Sequence, residues 1–207
     1  MKRSHFALGV IGVLGIIGVL VGEFLMHFNP NGYTSGVAFV FFKTIPTHRI
    51  MVGHFLSALS MPFYFSAYTF VYIILAEARP KMAKWFLAIA VYIFTIGGVW
   101  IGSRILLSIM VKENFLPGIE AYSLYIESLL QLLRFGIVVI SILFSVIVWK
   151  GKTILPKWMA FLNQVVFLGI VFGLFFFVPV IGNYLVPTAM NVAHLAFFSL
   201  ILFLTLK

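Results

Sequence analysis

Apolar residues run along this chain in six long blocks, near residues 6–28, 50–77, 85–110, 121–149, 158–178 and 188–206, with short polar segments between them. Each block is close to the roughly 20 residues that a helix rising about 1.5 Å per residue needs to cross hydrocarbon. The pattern predicts an all-α, polytopic membrane protein. Its six transmembrane helices form one bundle and one domain over residues 1–207, with no internal repeat or separate soluble unit. The second and fourth blocks are long enough to tilt, and Pro62 predicts a kink in the second. Along the first block Gly9, Gly12, Gly15 and Gly18 recur every third residue, a spacing that suits close contact between helices. That block is too long for a signal peptide and carries Glu23 and His27 where small residues would mark cleavage, so it reads as a retained helix.

The one long connection, residues 29–49, opens on the turn signal Asn29-Pro30-Asn31-Gly32-Tyr33. It continues through Val37, Ala38, Phe39, Val40, Phe41 and Phe42, too short a run to span but apolar enough to lie at the interface. The segment reads either as a lid over the bundle or as an interfacial anchor.

Composition sharpens the membrane assignment. Hydrophobic residues make up 63% of the chain and charged residues 9%, with a mean hydropathy of +1.15, beyond what a soluble domain of this length tolerates. Of the 14 Lys and Arg residues, nine (Lys2, Arg3, Arg79, Lys81, Lys84, Lys150, Lys152, Lys157, Lys207) fall on the side that holds both termini. Only Lys43, Arg49 and Lys112 fall in the opposite loops, so the positive-inside rule makes both termini cytoplasmic. A multi-pass protein of the bacterial cytoplasmic membrane is the expectation. The net charge of +9 resides in these short loops, facing lipid head groups, and forms no nucleic-acid-binding face. Cysteine is absent, which removes disulfides, thiolate metal sites and cysteine nucleophiles; Asp is absent too, and the only acids are Glu23, Glu77, Glu113, Glu120 and Glu127.

The candidate chemistry is one-sided. Glu23, His27, His48, His54, Arg104, Glu120, Glu127, Gln131, Arg134, Asn191 and His194 all map to the outer half of the spans or to the loops on that side. Ionisable groups are costly in lipid, so their clustering predicts a polar cavity opening outward. Glu23 and His27 share a helix face at a spacing of four. With His54 and His194 they make a donor set that zinc or another divalent metal accepts, and two of His27, His54 and His194 could instead hold haem. On the fourth span Glu120, Glu127, Gln131 and Arg134 form one stripe, expected to face the protein interior or a water-filled cavity. A Glu127–Arg134 salt bridge would satisfy the same constraint. Glu127 and Glu23 are the candidate acid–base groups, while Arg104, Arg134, Gln131, Asn191 and His48 are candidate binding residues for an anionic or polar head. Asn163 and Gln164 are expected to bond within the bundle.

The stretch Gly22-Glu23-Phe24-Leu25-Met26-His27-Phe28-Asn29-Pro30-Asn31-Gly32-Tyr33, with Arg49, Gly53 and Pro62-Phe63-Tyr64, resembles the first third of small bacterial six-span membrane proteins of unassigned function. The resemblance implies a polytopic bacterial membrane protein and carries over no activity. The zinc-dependent intramembrane hydrolases typified by alkaline ceramidases use Asp and an HxxxH pair, which this chain lacks.

The expected function is therefore an outward-facing site that binds or processes a lipid-like or amphiphilic small molecule, with membrane lipids as its other partners. A proton-coupled small-molecule transporter, a haem-binding electron-transfer protein and a structural membrane subunit remain open alternatives.

Overall fold

The computed structural model describes residues 3–29 and 39–206. Its elements are α1 (Arg3–His27), α2 (Thr47–Ser60), α3 (Tyr64–Ala76), α4 (Pro80–Lys112), α5 (Leu116–Lys150), α6 (Gln164–Phe177), α7 (Pro179–Leu185) and α8 (Ala189–Leu204), joined by short 3-10 turns. No strand occurs among the described residues. Five segments are long and apolar enough to cross a membrane: Arg3–His27, Thr47–Ala76, Pro80–Lys112, Leu116–Lys150 and Pro179–Leu204. The described fold is all-helical, and these five segments are compatible in length and composition with a multi-pass membrane protein.

Two of the expected spans change form. The block at 50–77 is a helix interrupted by a 3-10 turn at Met61–Phe63, where Pro62 supplies no N–H to the ladder. The block at 158–178 begins in a 3-10 turn at Lys157–Phe161 and is α-helical only from Gln164, where Asn163 caps the helix by accepting from the N–H groups of Val165 and Val166. The helix stops at Phe177, just before Pro179, and α7 folds back on it with Gly182 against the Phe175 backbone. Fourteen residues of α6 rise about 21 Å, short of the full hydrocarbon thickness.

Helix α1 sits at the centre, packed on α2, α3 and α8. Its glycines permit this: a Cβ at Gly12 would collide with the backbone of Ala67, and one at Gly22 with Ser57 and the Gly53 carbonyl. Arg49 of α2 donates at 2.7 Å to the Phe28 carbonyl, just past the end of α1, and at 3.3 Å to the Phe24 carbonyl, which also accepts the Phe28 N–H. Of the long connection, residues 30–38 lie outside the described residues. The part that follows is tucked onto the bundle: Phe42 and Ile45 are buried, and Lys112 donates to the Ile45 carbonyl at 2.7 Å.

Candidate functional site

Four elements meet around the buried carboxylate of Glu23. Asn191, on the first turn of α8, donates its amide N–H to Glu23 Oε2, and Tyr64, at the start of α3, donates its hydroxyl to Asn191 Oδ1. All three side chains are buried. One turn along α1, His27 Nε2 accepts from Arg104 Nε–H of α4 at 3.0 Å, and the same ring bonds the Pro187 carbonyl. A carbonyl can only accept, so the ring proton is on Nδ1. The Arg104 guanidinium lies against three aromatic rings, 4.8 Å from the Trp100 centroid, 5.6 Å from Phe39 and 5.7 Å from Phe42. Two of those rings, Phe39 and Phe42, come from the segment at 39–45, and this segment closes over the cation and completes its cation–π enclosure.

Farther along the bundle, away from His27, the polar groups continue. His194 Nδ1 donates to the Met190 carbonyl at 2.6 Å, leaving Nε2 to accept from the Tyr68 hydroxyl at 3.0 Å. Tyr68 is one turn below Tyr64 on α3, and the Tyr64 and His194 rings are 5.7 Å apart. Gln164, at the start of α6, adjoins Tyr68 and accepts from Ser141 Oγ at 3.0 Å. One turn on, Ser145 receives the Asn163 amide at 3.0 Å and donates to the Ala160 carbonyl at 2.6 Å. Measured along α5 at about 1.5 Å per residue, Ser145 lies some 8 Å from Lys150 and Ser141 about 14 Å from it. The result is a ladder of buried polar groups running from Arg104 to Ser145 through the middle of the bundle.

A cavity of about 20 Å³ adjoins Glu23, walled by Asn191, Tyr64, Phe94, Trp100 and Met61 among others. That is room for about one water molecule. The Trp100 Nε1–H is buried with no partner among the described residues.

The residues singled out by sequence divide into three groups. Glu23, His27, Arg104, Asn191 and His194 come together on the ladder. His54 stays apart on α2 with Nδ1 buried and without a hydrogen-bond partner among the described residues, and His48 is exposed at the start of that helix. No group of three His or Glu side chains close enough to hold an ion occurs among the described residues, so the expected convergence of His27, His54, His194 and Glu23 on one metal is not found. The Nε2 lone pairs of His27 and His194 are already taken, by Arg104 and Tyr68.

The third group corrects an expectation outright. The stripe of Glu120, Glu127, Gln131 and Arg134 faces outward, not into the bundle. Glu127 and Arg134 form an ion pair at 3.1 Å with side chains 55% and 50% exposed, and Gln131 donates to the same Glu127 oxygen at 2.7 Å. The buried face of α5 is the opposite one, with Ile126, Leu133, Ile137, Ile140 and Phe144. Lipid is as apolar as a protein core, so an apolar face in a membrane helix does not announce which side it packs on.

Sequence reasoning missed Tyr64, Tyr68 and Ser141. The available signal was the spacing of Tyr64 and Tyr68, one turn apart on a face of an otherwise apolar helix.

No curated protein and no solved structure matches the chain. A family model described as a family of unknown function, DUF6796, matches residues 1–207, in keeping with the unassigned function of the proteins that the Gly22–Tyr33 stretch resembles, and the chain belongs to that family.

Proposed function

We propose that this protein is a proton-coupled carrier of a small amphiphilic molecule, set in the bacterial cytoplasmic membrane with six crossings and both termini inside. In this reading α6 with the turn before it makes the fifth crossing. The observation that carries the reading is the buried ladder itself. Each rung can pass a proton or reorient its hydrogen bond: the Glu23 carboxylate, the His27 and His194 imidazoles, and the Tyr64 and Tyr68 hydroxyls. Ionisable groups held this deep are costly, and such a series across most of the bundle suits a proton path better than a scaffold.

The same geometry argues against a preformed lipid pocket beside Glu23. A cavity of about 20 Å³ beside Glu23 cannot admit an amphiphile, whose site needs on the order of 300 Å³ or more. Ligand entry therefore requires the helices to part, and the 3-10 turn at Met61–Phe63 between α2 and α3 is the natural hinge. Met61 and Tyr64 line the cavity from either side of that turn, so its opening would widen the site directly.

The test is electrical. Purified protein in liposomes on a solid-supported membrane is exposed to a panel of amphiphilic amines and carboxylates at several pH values. A member of the panel evokes a pH-dependent current that disappears in Glu23→Gln and persists in Glu127→Gln. Absence of current across the panel, or equal currents in wild type and Glu23→Gln, would overturn the proposal.

A further inference from the structure

We infer that α5 pairs with α5 of a second copy of this chain, along the seam Leu124, Glu127, Gln131, Arg134 and Val138. These residues follow one another at steps of three, four, three and four, the repeat that keeps one face of a helix against a parallel partner. All five are exposed, Leu124 at 75%, and no other described element covers them. Counting about 1.5 Å per residue from Lys150, Arg134 lies some 24 Å along α5, within the hydrocarbon thickness. Gln131 lies about 29 Å along and Glu127 about 35 Å, at the hydrocarbon edge; a glutamine and an arginine on that face are costly toward lipid and favourable toward a polar partner, with the Glu127 carboxylate beside them.

The chemistry of the seam selects the partner. Glu127 and Arg134 neutralise each other at 3.1 Å, so the membrane-embedded part of the face carries no net charge, and Glu120, two turns farther out on the same stripe, is the remaining charge. Both hydrogen bonds made within the helix end on Glu127 Oε1. Glu127 Oε2, the Gln131 carbonyl and the remaining guanidinium nitrogens make no hydrogen bond among the described residues, on side chains that are exposed. A two-fold axis along the membrane normal sets equivalent residues at equal depth. Gln131 then meets Gln131 of the other copy as donor to acceptor and acceptor to donor. The Arg134 guanidinium, already at the level of Glu127, faces the second copy's carboxylate, so two cations and two anions alternate around the axis. The seam is complementary to itself in a way that an unrelated helix would match only by repeating this sequence.

The absence of cysteine in the chain makes the test clean. Leu124→Cys and Val138→Cys are oxidised in native membranes beside Tyr92→Cys, an exposed position on the neighbouring helix α4. Disulfide-linked dimers are expected for the two seam variants and not for Tyr92→Cys, and intact chains in nanodiscs should weigh as pairs. Replacing both Glu127 and Arg134 by Leu should weaken pairing roughly tenfold. Three results overturn the inference: seam variants that stay monomeric, seam variants that cross-link only to a different protein, and Tyr92→Cys cross-linking as well as they do.

Discussion

The two polar clusters of this bundle are built in opposite ways. Around Glu23 nearly every side-chain hydrogen bond crosses between helices: α8 to α1, α3 to α8, α4 to α1. On α5 the bonds among Glu127, Gln131 and Arg134 stay within one helix. Bonds that cross between helices depend on the relative position of those helices and disappear if they shift. Bonds within a helix survive any rigid movement of it. The first cluster is therefore tied to the conformation of the bundle, and the second is indifferent to it and free to engage something outside.

This contrast predicts a steep difference in sensitivity. Asn191→Leu removes the one group that both donates to Glu23 and accepts from Tyr64, leaving two buried polar atoms without partners. The expected cost is about 2–5 kcal/mol, the range for breaking one side of a buried polar set. Thermal unfolding in detergent measures it, and a shift no larger than that of a surface substitution would erase the distinction between the clusters. Glu23→Gln keeps the shape and an acceptor oxygen for Asn191, so it should cost less than about 1 kcal/mol while abolishing pH dependence at the site.

Next in size is Arg104. Arg104→Met strips His27 Nε2 of its donor and removes the cation from among Trp100, Phe39 and Phe42, for an expected loss of about 2–3 kcal/mol. Arg104→Lys should recover less than half of this, because an ammonium lacks the planar face that lies against the rings. Limited proteolysis near Phe39 gives a second measure, since the enclosure holds that segment to the bundle. Unchanged cleavage in Arg104→Met would show that Phe42 and Ile45 alone anchor it.

How far the sequence foretold these features depends on which force decides each one. Helix extents at α1, α4 and α5 follow from hydrophobic length, and the interruption near Pro62 from a missing N–H, both local properties. Glu23, His27, Arg104, Asn191 and His194 were identifiable because charge and imidazole are rare inside apolar blocks. Tyr64, Tyr68 and Ser141 were not, because a hydroxyl in a membrane helix is common and its partner lies on another helix. The facing of α5 was unreadable for a different reason. With hydrocarbon on one side and protein on the other, the stripe of Glu127, Gln131 and Arg134 was legible but not its direction. Histidine count alone suggested a metal centre, whereas the imidazole nitrogens of His27 and His194 are held by Arg104 and Tyr68.

Within the α5 cluster a double-mutant cycle on Glu127 and Arg134 should return a coupling of about 0.6 kcal/mol, the average for polar pairs in membrane helices. The measurement belongs in dilute detergent, where the chain is single. Repeated in nanodiscs at high protein density, the coupling should rise if a second copy contributes to it. Equal values under both conditions would leave the seam with only its own helix to satisfy it.

The smallest effect is expected at His54, and it bears on the comparison because His54 belongs to neither cluster. Its Nδ1 is buried with no hydrogen-bond partner among the described residues, and its ring rests beside Phe55 at a centroid distance of 5.2 Å. An unsatisfied buried nitrogen is a cost that folding has absorbed, on the order of 1 kcal/mol. His54→Phe replaces the imidazole by an apolar ring of related shape and removes that cost, while the slightly larger phenyl returns part of it through crowding. The balance is a change between zero and about 1 kcal/mol in favour of the variant, read as an equal or higher unfolding temperature. A residue serving as a metal or haem ligand, or as a rung of the proton path, would behave in the reverse sense. Loss of stability or of the Glu23-dependent current in His54→Phe would move His54 into the site and require the ladder to branch onto α2.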